Sequence, residues 1–286
     1  MSVEIILKEA VEILKKNSIA SPILDARLLF SFITSISKED IIFKSSEINI
    51  SKKQQKDYFK IINKRAKKIP LSHLINQREF FGNNFYVNQD VLDPRPDSEA
   101  LIELIIKNFD KNSSLKICEI GCGSGCLIIS LLKYFENWQG LAVDISTKAL
   151  KISQKNSYNN QTYKRLNFLK SNLFNNFTDD KIFDLIISNP PYIPSNEIEN
   201  LQDEVRLYEP RLALDGGLDG LDFYRKIAVK SQKFLKNNGS IFLEIGHDQY
   251  AQVKNIFENT NFQFINFKKD LNGIIRVLEF KKTENL

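Results

Sequence analysis

The sequence predicts a doubly wound α/β domain with a mostly parallel sheet, preceded by a small all-helical domain. Three observations carry that reading. From residue 93 onward, short apolar runs alternate with stretches of helical periodicity. Residues 1–75 carry helical periodicity alone. The last two apolar runs, 262–267 and 274–281, are joined by the short Asp270–Gly273 connection, which has no room for a helical crossover. They must therefore pair antiparallel at the sheet's end.

In the helical part, Val3, Ile6, Leu7, Ala10, Val11 and Leu14 repeat at the spacing of one buried helix face. Pro22 opens a second segment whose apolar side is Ile23, Leu24, Leu28 and Leu29. Ser37, ahead of Asp40, caps a short third helix. A fourth runs over 51–69 with Tyr58, Phe59, Ile61 and Ile62 inward, and ends at Pro70, which cannot donate the next helical bond. It is strongly basic, with Lys52, Lys53, Lys56, Lys60, Lys64, Arg65, Lys67 and Lys68 against Asp57. A solvated helix face explains such a run, and a docking surface for an acidic protein or RNA is the sharper alternative.

Residues 76–92 read as a linker: Phe80, Phe81, Phe85, Tyr86 and Val87 flank Gly82-Asn83-Asn84, which suggests a β-hairpin turning at that tripeptide. Residues 93–286 form the α/β domain. Its buried strands are expected at 115–120, 140–145, 166–171, 183–189 and 240–245, with helical crossovers at 124–135, 147–158 and 219–236.

Composition bounds the function. At 286 residues, 42% hydrophobic and 26% charged, the chain is long enough for two domains with packed cores. A net charge of +5 is mild and argues against a dedicated nucleic-acid binder. The first ten residues lack the basic and apolar regions of a secretory signal, and no apolar run nears the roughly 18 residues of a membrane span. The expected location is the cytoplasm, and a monomer is expected. Cys118, Cys122 and Cys126 match no zinc or iron–sulfur spacing and fall on a strand, a turn and a helix in succession. They read as small packing residues, with no metal site.

Glu119-Ile-Gly121-Cys122-Gly123-Ser124-Gly125 follows the first strand and opens a helix. Glycines there let the backbone approach a ligand, and the helix start offers free N–H groups. The third position of a dinucleotide fingerprint holds Cys126 instead. Asp144 closes the second strand, where a carboxylate can accept both hydroxyls of a ribose. Together these residues resemble the S-adenosylmethionine site of Rossmann-like methyltransferases. The resemblance implies S-adenosyl-L-methionine as cofactor, with S-adenosyl-L-homocysteine as product. It further implies that Glu119 faces the methionine amine, that Asn172 stands where the family usually reads adenine with an acid, and that Leu173 packs on that base.

Asn189-Pro190-Pro191-Tyr192 leaves the fourth strand at the sheet's carboxyl edge. An amide or exocyclic amine nitrogen is a poor nucleophile because its lone pair is delocalised. Hydrogen bonds from its two N–H groups to the Asn189 oxygen and the Pro190 carbonyl would hold it in line with a sulfonium methyl and stabilise developing positive charge. Tyr192 can pack on the planar group. No metal or strong base is required, and the two histidines, His73 and His247, read as surface or packing residues.

The motif is shared by enzymes acting on DNA bases, ribosomal RNA guanine and glutamine amides. The remaining strings narrow it. Asp93-Pro-Arg-Pro-Asp-Ser-Glu99, Tyr208-Glu-Pro-Arg-Leu-Ala-Leu214, Asp215-Gly-Gly217, Asp25-Ala-Arg-Leu-Leu29 and Asp270-Leu-Asn-Gly-Ile-Ile-Arg276 resemble the release factor glutamine methyltransferases over nearly the whole chain. The resemblance implies N5 methylation of the glutamine in the Gly-Gly-Gln motif of a class-1 peptide chain release factor, docked by the N-terminal helices. The alternatives are glutamine methylation of a ribosomal protein and amino methylation of a nucleic-acid base.

Overall fold

The computed structural model describes residues 2–45, 47–180 and 182–283. Five helices come first: α1 (Val3–Lys16), α2 (Pro22–Thr34), α3 (Lys38–Phe43), α4 (Lys52–Ala66) and α5 (Leu71–Ile75). The hairpin β1 (Arg78–Phe80) and β2 (Asn83–Phe85) follows. Then α6 (Glu99–Asn108), β3 (Lys116–Ile120), α7 (Cys126–Tyr134), β4 (Gln139–Asp144), α8 (Thr147–Asn159), β5 (Leu166–Lys170) and β6 (Phe183–Ser188) alternate. The chain ends with α9 (Asp203–Tyr208), α10 (Asp222–Phe234), β7 (Leu235–Glu244), α11 (Tyr250–Glu258), β8 (Phe262–Lys269) and β9 (Ile275–Lys282). Contacts divide it into two units: Met1–Gln77 with Gln202–Tyr208, and Arg78–Leu201 with Glu209–Leu286.

The helical unit packs α1, α2 and α4 around Ile6, Ala10, Leu14, Leu29, Phe30 and Ile62. Tyr58 lies edge-on to Phe30 and donates to the Ala26 carbonyl at 3.0 Å, so its buried hydroxyl is satisfied. Ser37 and Ser51 cap α3 and α4 through their side chains, and Gln54 completes a capping box.

Three details depart from the sequence reading. The buried side of α2 is Asp25, Ala26, Leu29 and Phe30, while Ile23 and Leu24 are exposed. Asp25 turns inward because Arg65 Nε donates to it at 2.7 Å. Arg65 thus leaves the basic face of α4, and its other nitrogens reach Glu204 of α9 at 2.8 Å and the Ile69 carbonyl at 3.0 Å. Finally, α4 stops at Ala66, because Lys68 takes a left-handed conformation, and Pro70 instead precedes the first turn of α5.

The second unit is built on a seven-stranded sheet in the order β5-β4-β3-β6-β7-β9-β8. β3 to β7 are parallel, and β9 and β8 close the sheet antiparallel. The apolar runs form buried strands because helices cover both faces. Leu101, Ile105, Ile128 and Leu132 of α6 and α7 pack on one face. Tyr224, Ile227, Val253 and Phe257 of α10 and α11 pack on the other. The hairpin turns at Phe81-Gly82, both with positive φ, and Asn83 already pairs with Phe80, one step earlier than the tripeptide suggested. Helices α6, α9 and α11 were not anticipated, and β7 starts five residues earlier than expected.

Chain direction reverses across the sheet between β3 and β6: the chain runs outward through β4 and β5, then returns to β3's other side. In this architecture ligands bind beyond the carboxyl ends of the strands at such a switch point.

Candidate active site

The β3–β6 register sets Glu119 beside Ile187 and Ile120 beside Ser188. The glycine loop leaving β3 and Asn189-Pro190-Pro191-Tyr192 leaving β6 therefore start as neighbours. The Ser188 hydroxyl ties them by donating to the Ile120 carbonyl at 2.7 Å. Around them a cavity of about 310 Å³ opens at the carboxyl ends of β3, β4, β5 and β6. That size suits a small-molecule cofactor.

The loop after β3 is shaped by backbone bonding. Gly121 N and Cys122 N both donate to the Val143 carbonyl, at 2.8 and 2.9 Å, which seats the loop on the end of β4. Gly121 and Gly123 have φ of +73° and +51°, and a Cβ at either would meet nothing within 4 Å. Such open space at positive φ lets a ligand approach the backbone closely, a cradle that a side chain would fill. Cys122 and Ser124 line the cavity beside them. Gly125 does not; its positive φ starts α7, and a Cβ there would strike Ser153 Oγ and lie 2.9 Å from Ile129 Cδ1.

Two carboxylates face this space. Glu119 is 2% exposed and accepts from Ile128 N in the first turn of α7 at 3.2 Å. Burial pushes its carboxyl well above the usual range, with the Ile128 N–H opposing and Asp144 adding to the rise. Asp144 accepts from Gly123 N at 2.9 Å through Oδ2 and from Ser146 N at 2.8 Å through Oδ1. Burial raises it too, against those backbone donors. Each of its oxygens keeps a lone pair for another donor. Asn172 and Leu173 follow β5 and line the same cavity, Leu173 at a φ of +52° that few bulky residues adopt.

On the β6 side, Asn189, Pro190 and Pro191 line the cavity, and Tyr192 does not. Its ring packs with the half-buried apolar residues against the core under α10, and burial pushes its phenol up to about 12. Its carbonyl accepts from Gln249 Nε2 at 2.9 Å. The segment Asp215–Gly220 packs tightly over it: a Cβ on Gly216 would fall 2.8 Å from Tyr192 Cα, and one on Gly220 would strike the Tyr192 carbonyl oxygen. That close approach explains the glycines of this string. Asn189 Nδ2 donates to Ser98 Oγ at 3.3 Å, which turns its Oδ1 the other way. Among the described residues no backbone donor is paired with the Pro190 carbonyl.

The cavity also has walls that the sequence reading missed. Arg95 and Ser98 line it from the 93–99 string, Pro210, Leu212 and Ala213 from the 208–214 string, and Phe223 and Lys226 from α10. Arg95 Nη2 joins the first two walls by donating to both Glu209 oxygens, at 2.6 and 2.8 Å. Both strings carry the family resemblance, but their partnership spans 114 residues and has no local signal. Cys118, Cys122 and Cys126 lie on a strand, a turn and a helix start, the first two buried.

Known proteins resemble this chain in sequence and in fold. A family model described as methyltransferase small domain matches residues 97–205, and one described as PrmC N-terminal domain matches residues 6–75. The chain is 37% identical over 281 residues to the release factor glutamine methyltransferase of Clostridium acetobutylicum, covering 97% of this chain and 98% of the relative. With the Agrobacterium fabrum protein of the same name it shares 35% over 273 residues, covering 94% and 93%. It also matches a Rickettsia prowazekii bifunctional methyltransferase at 36% identity, covering 97% of this chain but 57% of that longer protein. Among solved structures, a Pyrococcus furiosus methyltransferase superposes with a TM-score of 0.53 at 16% identity, covering 72% of this chain and 91% of that one. TYW2 of Pyrococcus horikoshii, solved with MeSAdo, gives 0.51 at 12%, covering 73% and 71%. At those identities the two structures share the fold alone.

Proposed function

The chain belongs to the release factor glutamine methyltransferases, and from that premise we propose that its cavity binds S-adenosyl-L-methionine and methylates the side-chain amide nitrogen of a release factor glutamine. The glutamine is the one in the Gly-Gly-Gln motif of a class-1 factor. The observation that carries this reading is the shared edge of β3 and β6, which brings the glycine cradle and Asn189-Pro190 into one cavity.

The residues fit the cofactor. Gly121 and Gly123 leave open space under positive φ, beside Cys122 and Ser124, and these four cradle the methionine part. The buried Glu119 carboxylate suits an ammonium group, whose charge would offset the desolvation that now raises its pKa. Asp144 has lone pairs for two ribose hydroxyls, Asn172 offers an amide to the adenine edge, and Leu173 offers an apolar surface to its face. When bound, the cofactor supplies an electrophilic methyl on a sulfonium.

Asn189 and Pro190 do the catalytic work of the chain. The Oδ1 of Asn189 and the carbonyl of Pro190 accept the two N–H groups of the glutamine amide. This would hold the nitrogen toward the methyl that the cofactor supplies, and the two oxygens would stabilise the positive charge it acquires. The methyl would come from the cofactor's sulfonium, which would leave as the neutral thioether, and the methylated nitrogen would lose one proton to water. Pro191 stiffens the loop by locking φ and lacks the N–H that could otherwise close an Asx turn on Asn189 Oδ1. Tyr192 anchors the loop to the core beneath α10, and its half-buried ring can pack on the planar amide.

The test is transfer of labelled methyl from the cofactor to four acceptors presented separately: a release factor, its Gln→Ala variant in Gly-Gly-Gln, a ribosomal-protein substrate and DNA. Label is expected on the intact release factor alone. Label on DNA or the ribosomal protein, with none on the release factor, would refute the substrate assignment.

A further inference from the structure

We propose that Glu244, at the carboxyl end of β7, is a positioning residue that sets the orientation of the Asn189 carboxamide through Ser98. The inference rests on the catalytic role given to Asn189 above.

The two faces of an Asn carboxamide are nearly the same shape and opposite in polarity. Turned by half a rotation, Asn189 would present its NH2 to the NH2 of the substrate, donor against donor, and the grip would be lost. Something must choose. Asn189 Nδ2 donates to Ser98 Oγ, but a serine hydroxyl both donates and accepts, so Ser98 alone would serve either orientation. The choice requires an acceptor-only group behind it.

Glu244 is that group. It is 2% exposed, and its Oε2 is fully buried with no hydrogen-bond partner among the described residues. The parallel β6–β7 register sets Ser188 beside Leu243, so Glu244 comes next along β7 where Asn189 follows β6. The nearness of Ser98, and to a lesser degree of Asn189, favours its charged form. An ionised carboxylate only accepts, so a Ser98 O–H turned to it leaves the serine oxygen to accept from Asn189 Nδ2, and any hydrogen that Asn189 itself turns to it comes from Nδ2 as well. Polarity is thereby fixed from Glu244 through Ser98 to Asn189, with Oδ1 toward the incoming amide. The β7 backbone is held as well, since the buried Tyr224 hydroxyl donates to the Glu244 carbonyl at 2.9 Å.

Protonation would undo the choice, because a carboxylic acid can donate to Ser98 and reverse the chain of donors. Burial pushes the Glu244 carboxyl up to about 7; Asp97 adds to the rise, and Arg276 opposes it along with Ser98 and Asn189. The other titratable groups it faces are Tyr192, Tyr224 and Cys126, all raised by burial and so neutral across this range. Turnover should therefore rise with pH through about 7 and level off above it.

The experiment is steady-state methylation of a release factor between about pH 6 and 9, with cofactor affinity measured by calorimetry on the same samples. Variants are Glu244→Gln, Ser98→Ala, Ser98→Thr and Asn189→Ala. Glu244→Gln is expected to lower kcat about 10- to 100-fold above pH 7, flatten the pH profile and leave cofactor affinity within about threefold, the loss of one charge-assisted bond. Ser98→Ala should fall similarly, and Ser98→Thr, which keeps the hydroxyl, should recover most activity. Unchanged cofactor affinity reports an intact fold. Wild-type kcat and pH profile in Glu244→Gln, with Asn189→Ala inactive, would overturn this inference and leave the reading of the site standing. Equal losses in Ser98→Thr and Ser98→Ala would also overturn it. Full activity in Asn189→Ala would remove both.

Discussion

Replacing Asp144 by asparagine tests the cofactor cradle through a single atom. The carboxylate uses one oxygen for Gly123 N at 2.9 Å and the other for Ser146 N at 2.8 Å, so it clamps the glycine loop of β3 to the turn after β4. Asparagine keeps one acceptor. Whichever way it turns, its NH2 opposes a backbone N–H, and one ribose hydroxyl loses its acceptor. A bond to a charged acceptor contributes about 1.5–3 kcal/mol. Part of that is offset, because burial already disfavours the ionised form of Asp144. A net loss of about 2 kcal/mol weakens cofactor binding about 30-fold. Isothermal titration of Asp144→Asn and wild type with the cofactor measures it directly. Affinity within about twofold of wild type would mean that Asp144 does not hold the nucleoside and that the cradle has been misread.

Other perturbations probe separate parts of the molecule. Arg65→Met leaves the Asp25 carboxylate buried without its partner and should destabilise the helical unit by about 3–5 kcal/mol, seen as faster hydrogen exchange in α1, α2 and α4; unchanged exchange would refute the role of the pair. Gly220→Ala should cut kcat while sparing cofactor affinity, since its Cβ would strike the Tyr192 carbonyl oxygen and shift the loop carrying Asn189; wild-type kcat would argue against that coupling. Glu244 also predicts a pH dependence of stability. Its folded pKa, about 7, lies above the ordinary 4.5, so the folded state is favoured most below 4.5 and loses that advantage as pH rises through about 7. Glu244→Gln should therefore raise stability by up to about 3 kcal/mol at pH 8 relative to wild type and leave it little changed at pH 5, read from urea denaturation. A gain equal at both pH values would contradict the sign.

Much of the fold was legible because the parallel strands are uninterrupted apolar runs, a pattern that burial on both faces demands. The glycine loop, Asp144 and Asn189-Pro190-Pro191 were visible for a related reason: each lies at the end of such a run, where backbone geometry imposes residue type. What escaped depended on pairs remote in sequence. Asp25 disrupted the apolar side of α2 because its partner Arg65 is 40 residues away, and the outward Ile23 and Leu24 looked more hydrophobic than the face that is buried. Ser98 and Asn189 are separated by 91 residues, and Arg95 and Glu209 by 114, so neither wall of the acceptor side could be joined from spacing. Tyr192 belonged to a motif whose chemistry suggested stacking. Its ring also packs against the core cluster that holds Tyr224 and Ile227, a contact the motif does not announce. The short α9 carries no buried apolar face, and it is held by Glu204 with Arg65 and by the Tyr208 hydroxyl donating to the Lys67 carbonyl at 2.7 Å.

The most direct test is mass spectrometry of a release factor after incubation with the cofactor and either wild-type enzyme or Asn189→Ala. The predicted result is one added methyl group, localised by fragmentation to the side-chain nitrogen of the glutamine in Gly-Gly-Gln, with none added by the variant although it still binds cofactor. A methyl group on another residue, or an Asn189→Ala enzyme that modifies the same glutamine at the wild-type rate, would contradict the account.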